Sequence, residues 1–269
     1  MKIGIRPHDL EFENIQELCD KCKEIQAEGL QLVWMRIFPD KINDLDFIND
    51  QMKIIQENDI DVYLLGSYFN MIHPDKEKLE LGHEIFKANT RIAKANNIKN
   101  IGSETGSVNG EAWTYHPDNH TEESYTKLKE AISRVTENLD EEKYLLEPVY
   151  DHVSYNLEIT KSMMLNDKVA ITLDLANLLN IDNHQDYLEI FESFLKEFGS
   201  RIKILHFKNF IFEKDQKKLC QLDKGLMDYK KIYPLVEKYG LTNLPIIIEE
   251  IQDEELIESI KFIRSFEKK

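Results

Sequence analysis

The chain has 269 residues, of which 42% are hydrophobic and 31% charged, and its formal net charge is -16. This acidic balance, with no basic run longer than two or three residues, argues against nucleic acid and an anionic membrane as partners, because both attract clustered lysine and arginine. The apolar content is sufficient for a sizeable core, and one α/β barrel can also reach about 250 residues.

The cysteines and the amino terminus indicate a reduced compartment. Three cysteines in a chain of this length do not make a disulfide framework. Cys19 and Cys22 form a C-x-x-C pair within a helical pattern, without a second pair at zinc spacing, so we interpret them as thiols on a helix face. The amino terminus lacks the apolar region of a signal peptide, and no apolar stretch approaches the ~20 residues of a membrane helix. We therefore expect a cytoplasmic protein.

Short apolar runs alternate with helical spacings along the whole chain. The runs predict strands at 2–5, 30–33, 61–65, 98–101, 144–147, 169–174, 202–206 and 245–249. The spacings predict helices at 14–28, 45–58, 76–96, 121–139, 154–165, 185–198, 228–239 and 253–266. Gly29, Gly199 and Gly240 are expected to end helices, and Thr121 is expected to cap one.

This alternation predicts a parallel sheet with helices outside it, and eight units favour a closed (β/α)8 barrel. A doubly wound open sheet would have a glycine-rich phosphate turn after its first strand, and Arg6-Pro7-His8-Asp9 is not one. No linker rich in proline, glycine or serine interrupts the pattern, so we predict a single domain over residues 1–269.

The longest irregular stretch, residues 102–120, is expected to be a functional loop at the mouth of the barrel. It contains Trp113, His116 and His120. A second polar stretch, 213–218, follows the seventh strand.

Four predicted strands end in a side chain that can bind a metal, namely Glu147, Asp174, His206 and Glu249. The carboxyl ends of all strands in such a barrel face one mouth, so we expect these side chains to converge. Three carboxylates and one imidazole suit Mn²⁺, Mg²⁺, Co²⁺ or Zn²⁺. The alternative is that the acids only cap the following loops. Glu250 is the rival of Glu249, and we favour Glu249 because it directly ends the apolar run.

The four segments resemble the xylose isomerase-like TIM barrels, the sugar phosphate isomerase/epimerase superfamily. The resemblance covers essentially the whole chain. It lies in the order and spacing of Leu146-Glu147-Pro148, Leu173-Asp174-Leu175-Ala176-Asn177, Leu205-His206-Phe207-Lys208 and Ile248-Glu249.

The resemblance implies that the four residues bind one divalent metal and that Glu147 and Glu249 also form an acid/base pair. One glutamate would remove a proton next to a carbonyl and the other would return it, through a metal-stabilised ene-diolate. The implied substrate is a small sugar, sugar acid, cyclitol or sugar phosphate. Related barrels are often dimers or tetramers, so the resemblance implies a homodimer or a homotetramer without deciding between them.

Further residues are candidates for binding that substrate. Lys208 shares the face of His206 and could hold a phosphate or carboxylate, or else extend to the rim. Glu104 ends the fourth strand and could bind substrate or a metal. His8 follows the first strand, where a structural role is the alternative. Tyr68 and Trp113 lie on mouth loops, and Trp113 could cover a sugar face or anchor its own loop.

Two positions depart from the ketose epimerases of this family. Asn177 occupies the place of a histidine three residues after the metal aspartate, and Phe212 the place of an arginine six residues after the metal histidine. Both family residues hold substrate, so the departures argue against a simple free-ketose epimerase. We retain Asn177 as a candidate substrate ligand.

Three alternatives remain open beside an isomerase or epimerase. A dehydratase or lyase would use the same enolising chemistry and release water. A non-catalytic barrel would bind a ligand without turnover. An apurinic endonuclease is disfavoured by the acidic charge and by the scarcity of histidine ligands.

Overall fold

The computed structural model describes residues 1–267 and contains a closed barrel of eight parallel strands surrounded by helices. The barrel strands are β1 (Ile3–Ile5), β2 (Gly29–Leu32), β3 (Asp61–Gly66), β4 (Asn100–Glu104), β5 (Lys143–Glu147), β6 (Val169–Asp174), β7 (Ile202–Phe207) and β10 (Ile246–Ile248). They follow one another around the barrel in the order β1-β10-β7-β6-β5-β4-β3-β2. The predicted barrel is therefore confirmed.

Ten α-helices lie within the described residues. They are α1 (Ile15–Glu24), α2 (Trp34–Ile37), α3 (Leu45–Glu57), α4 (Lys76–Ala95), α5 (Glu122–Glu137), α6 (Leu157–Ser162), α7 (Leu175–Leu178), α8 (Tyr187–Phe198), α9 (Tyr229–Lys238) and α10 (Asp253–Arg264). Within residues 1–267, no helix has both the length and the apolar character needed to span a membrane.

Several helix ends follow from local side-chain chemistry. Asn14, Asp75 and Thr121 each accept a hydrogen bond from a backbone N–H of the helix that follows, as residues at the N-cap do. Gly199 and Gly240, with φ of 42° and 70°, follow α8 and α9 as predicted. A residue with a side chain would be strained at either position.

The chain groups into two compact units. One unit comprises residues 1–31, 53–63 and 173 onward, and contains β1, β7, β10 and helices α8 to α10. The other comprises residues 32–52 and 64–172, and contains β4, β5 and helices α4 to α6. The single domain inferred from the sequence stays a prediction.

Gly29 does not end a helix, contrary to the prediction. Helix α1 ends at Glu24, and Gly29 is the first residue of β2. A Cβ atom at Gly29 would lie 2.2 Å from Cε2 of Tyr63, so the close approach of an aromatic ring is what requires glycine here.

The predicted helix at 154–165 is shorter in the structure, because its first residues belong to a loop. The N–H of Val153 donates to the carbonyl of Gly106, and the N–H of Ser154 donates to the hydroxyl of Thr105. Helix α6 begins only after Asn156, whose side chain accepts from the N–H of Ile159.

The polar stretch 213–218, for which the sequence pattern predicted no element, belongs to an antiparallel hairpin. The hairpin consists of β8 (Asn209–Glu213) and β9 (Gln216–Cys220). Lys214 and Asp215 form its two-residue turn with φ of 49° and 64°. Positive φ at both positions matches the right-handed twist of paired strands, although this turn lacks the asparagine-glycine pair that usually signals it.

Candidate metal centre

Asp174 is the last residue of β6, and its side chain is fully buried. Its Oδ1 accepts a hydrogen bond from the N–H of Asn177 over 3.1 Å, so the acid also caps the short helix α7. The capping role therefore exists, and it uses one carboxylate oxygen. The second oxygen, Oδ2, lies 4.0 Å from Nδ1 of His206.

His206 and Glu249 are brought together by neighbouring strands. His206 lies in β7, directly opposite Ile247 of β10, and Glu249 follows the last residue of that strand. Nδ1 of His206 is 3.4 Å from Oε1 of Glu249. Both side chains are buried, with exposed fractions of 0% and 3%.

Glu147 ends β5 and is also buried. Its Oε2 accepts a hydrogen bond from the hydroxyl of Tyr68 over 3.1 Å. The loop after β3 therefore fixes one oxygen of this carboxylate, and Tyr68 contacts the candidate ligand rather than only bordering the mouth.

One ligand atom from each of four buried residues lies within 4.8 Å of the other three. The residues are Glu147, Asp174, His206 and Glu249, the four expected from the strand ends. Three hard carboxylate oxygens and one imidazole nitrogen suit a divalent ion such as Mn²⁺, Mg²⁺, Co²⁺ or Zn²⁺. Burial of three acids at this spacing is costly without compensating cations. The donor set therefore fits a divalent metal.

Lys208 is a cation in direct contact with two of these ligands. Its Nζ lies 3.0 Å from Oδ2 of Asp174 and 3.0 Å from Oε1 of Glu249. It also lies 2.6 Å from Oε2 of Glu250. The carbonyl of Lys208 accepts a hydrogen bond from the hydroxyl of Tyr229 over 2.8 Å, which holds the backbone at this position. Lys208 thus points into the centre and not to the rim.

Arg6 supplies a second cation. Its Nη1 lies 3.4 Å from Oε2 of Glu249, and its guanidinium forms two hydrogen bonds of 2.8 Å to the carboxylate of Asp9. Burial alone would raise the pKa of Glu249, but the charges of His206, Lys208 and Arg6 outweigh it and hold that pKa well below its usual range. Glu249 is therefore ionised at neutral pH.

Glu249 and its rival Glu250 occupy different environments. Glu249 is buried within the cluster, whereas Glu250 is 37% exposed and its side chain meets Lys208 from outside the cluster. The backbone of Glu250 has a φ of 58°, and its N–H donates to Oδ2 of Asp9 over 3.0 Å. Simple strand alternation does not describe this segment, because β10 ends at Ile248.

Glu104 and Trp113 meet at His152. Glu104 ends β4 in register with Glu147, and its Oε2 is 3.7 Å from Nδ1 of His152. Nε2 of His152 donates to the carbonyl of Trp113 over 3.0 Å, and the two rings make an edge contact with centroids 5.7 Å apart. These contacts give Trp113 a role as an anchor of its own loop, while its part in substrate binding stays a prediction.

The remaining predicted residues lie near the ends of strands without joining the cluster. His8 lies in a short 3-10 helix after β1, and Asn177 lies in α7 with its N–H on Asp174. Phe212 lies in β8 and makes an edge contact with His184, with centroids 5.2 Å apart.

The sequence did not indicate Asp9 as part of the site. Asp9 accepts a hydrogen bond from the N–H of Glu250, which is 241 positions away in the chain.

Comparisons with known proteins agree with the barrel fold. A family model described as "Xylose isomerase-like TIM barrel" matches residues 19–266. A putative xylose isomerase from Rhodospirillum rubrum is similar over 100% of both chains, with a TM-score of 0.77 and 14% identity. A D-tagatose 3-epimerase-like protein is similar over 98% of this chain and 96% of its own, with a TM-score of 0.76 and 16% identity.

The third structural relative was solved with a metal. The IOLI protein with a binding zinc atom has a TM-score of 0.72 and 16% identity, over 98% of this chain and 96% of its own. At such identities the likeness to solved structures shows the fold alone. Among curated proteins, no sequence matches this chain.

Proposed function

The chain belongs to the xylose isomerase-like TIM barrel family, and we propose that it is a divalent-metal-dependent isomerase or epimerase of a small sugar, sugar acid, cyclitol or sugar phosphate. The observation that supports this proposal is the convergence of four buried residues able to bind a metal. Isomerase-like and epimerase-like proteins among the structural relatives are consistent with it.

The four residues would hold one divalent ion through three carboxylates and an imidazole. A divalent ion in this position supplies Lewis acidity, which lowers the free energy of negative charge developing on a carbonyl oxygen. Zinc in one structural relative shows that a relative of this fold holds such an ion.

Glu147 and Glu249 are the proposed proton carriers. Glu249 is ionised, because Lys208 and Arg6 lie 3.0 Å and 3.4 Å from its oxygens, so it is able to accept a proton from a carbon next to a carbonyl. Glu147, oriented by the hydroxyl of Tyr68, would return a proton to the opposite face or to the neighbouring carbon. An ene-diolate of the substrate is the species between the two transfers.

Exclusion of water would come from burial. The side chains of Asp174, His206 and Glu249 are at most 3% exposed, and low polarity around ionised groups strengthens every charge interaction there. In a buried site the ene-diolate is protonated by a fixed carboxylate, which carries a proton taken from solvent, and not directly by bulk water.

The test combines metal analysis with isotope exchange. Purified chain should bind about one divalent ion, and the loaded protein should incorporate deuterium from solvent at one carbon of a substrate from a panel of sugars, sugar acids and sugar phosphates. Glu147→Gln and Glu249→Gln should each abolish the incorporation. Glu158→Gln, an exposed position on α6, is the matched control and should retain it.

Two results would contradict the proposal. A chain without affinity for divalent ions would refute the metal centre. Retention of full exchange in both Glu147→Gln and Glu249→Gln would refute the acid/base pair. Loss of water from the product, measured by mass, would indicate a dehydratase instead.

A further inference from the structure

We propose that the ion pair between Lys208 and Glu250 breaks when substrate binds, and that a carboxylate of the substrate then pairs with Lys208 in place of Glu250. The inference rests on the proposed function, since it narrows the substrate class of the same site to a sugar acid. It depends on the contacts of Lys208, the charge balance of the centre and the position of Glu250.

The contacts of Lys208 distinguish two kinds of carboxylate. Asp174 and Glu249 are at most 3% exposed, and each lies 3.0 Å from the ammonium. Glu250 lies closer, at 2.6 Å, but it is 37% exposed. Asp174 and Glu249 are therefore fixed parts of the centre, whereas Glu250 reaches Lys208 from the solvent side.

Formal charges show which carboxylate is in excess. Three acids of the cluster carry a charge of about -3, a divalent ion supplies about +2, and Lys208 supplies about +1. Arg6 and Asp9 form a pair that cancels. The Glu250 carboxylate comes on top of this balance, so the centre does not need its charge and stays neutral when Glu250 leaves.

Glu250 is also placed where it can move. It lines a cavity of about 700 Å³, together with Arg6, Asp9 and the segment 251–255. Its backbone is held in the left-handed region with φ of 58°, by an N–H that donates to Asp9 over 3.0 Å. The backbone is therefore fixed, while the half-exposed side chain has room to rotate away from Lys208 into the cavity.

Lys208, rather than Arg6, would bind the carboxylate of the substrate. The guanidinium fork of Arg6 already binds both oxygens of Asp9, with two hydrogen bonds of 2.8 Å. An ammonium is a point charge that accepts a carboxylate from several directions. A carboxylate replaces the Glu250 carboxylate charge for charge, whereas a phosphate brings a charge of about -1.5 to -2 into an acidic centre.

The experiment measures binding of three small compounds to the metal-loaded full chain by calorimetry. D-glycerate carries a carboxylate, glycerol 3-phosphate carries a phosphate, and glycerol carries neither. The test variant is Glu250→Gln, which removes the competing charge. The control is Glu254→Gln, a residue of the same cavity that has no ion pair among the described residues.

We expect Glu250→Gln to tighten glycerate binding about tenfold. If the Glu250 carboxylate pairs with Lys208 for about nine-tenths of the time, only about one-tenth of the protein can bind glycerate, and the apparent affinity is about tenfold lower. Glycerol should be unaffected, and Glu254→Gln should bind all three compounds as the unmodified chain does. Adding Lys208→Met to Glu250→Gln should remove the gain for glycerate.

The inference is wrong if Glu250→Gln leaves glycerate binding unchanged or absent, or if glycerol gains as much as glycerate. A larger gain for glycerol 3-phosphate than for glycerate would overturn the assignment of a carboxylate. Metal content of the same samples separates this inference from the proposed function. A chain that binds no divalent ion refutes the function, whereas loaded protein without an effect of Glu250→Gln refutes only the inference.

Discussion

The hydroxyl of Tyr68 donates a hydrogen bond to Oε2 of Glu147 over 3.1 Å, although the two residues are 79 positions apart. A partner of this kind orients a metal ligand, and its loss usually lowers metal affinity by about 10–100-fold. We therefore expect Tyr68→Phe to weaken binding of a divalent ion by about tenfold or more, measured by titration with Mn²⁺.

Tyr115→Phe is the matched control, because Tyr115 is 51% exposed on the loop after β4. Equal metal affinities for Tyr68→Phe and the unmodified chain would show that the hydrogen bond does not orient Glu147 as a ligand. A thermal denaturation midpoint for each variant separates loss of metal from loss of folding.

Lys217 attaches the hairpin of β8 and β9 to the segment after Asp174. Its Nζ donates to the carbonyls of Ala176 and Leu179, over 2.7 Å each. Lys217→Met removes two charge-assisted hydrogen bonds of about 1.5–3 kcal/mol each, so the hairpin should open more often. Amide hydrogen exchange in residues 209–220 should become at least about tenfold faster.

Lys218→Met is the control for this prediction. Lys218 is the neighbour of Lys217, and within residues 1–267 its ion pair is with the exposed carboxylate of Glu213, over 3.1 Å. Such a surface pair contributes about 1 kcal/mol or less. Similar exchange rates for the two variants would contradict an anchoring role of Lys217.

The sequence was sufficient to predict the barrel and the four residues of the cluster. Both depend on patterns that repeat locally, namely an apolar run followed by a polar residue at its carboxyl end. In Asp174 and Glu147 the polar residue is the last of a strand, so the strand itself places the side chain at the mouth. Lys208 was predictable for a related reason, since it shares the face of His206.

The partners of these residues were not predictable, because they come from distant parts of the chain. Asp9 meets Glu250 from a separation of 241 positions, and neither neighbourhood has a recognisable motif. The left-handed backbone of Glu250, with φ of 58°, also has no signal such as glycine or asparagine. The placement of Glu250 against Lys208 therefore appears only in the folded chain.

The pKa of His152 predicts how stability changes with pH. Burial lowers this pKa from an ordinary value of 6.5 to about 4, although the hydrogen bond to the Trp113 carbonyl opposes the change. Between these two values the unfolded chain binds more protons at this residue than the folded chain does. The free energy of unfolding should therefore fall as the pH falls from 6.5 towards 4, by up to about 3 kcal/mol for this residue.

His152→Gln should make that pH dependence shallower, as measured by urea unfolding at several pH values. His83 keeps part of the slope in every variant, because burial lowers its pKa to about 4 as well. The same slope in His152→Gln as in the unmodified chain would show that His152 is not buried as a neutral ring.

Gly29→Ala tests whether the close approach of the Tyr63 ring is what requires glycine at the start of β2. Cβ of an alanine would lie 2.2 Å from Cε2 of Tyr63, inside β2 where the backbone cannot move away freely. Overpacking of this kind costs about 1–3 kcal/mol, measured as the free energy of unfolding in urea. Gly102→Ala, whose Cβ would first meet the end of Leu64 at 3.0 Å, should cost less, because that side chain is flexible.

Tyr63→Leu removes the ring, so Gly29→Ala should lower the free energy of unfolding less in the Tyr63→Leu background than in the unmodified chain. An equal cost in both backgrounds would mean that Gly29 is required for its backbone and not for the space it leaves to Tyr63.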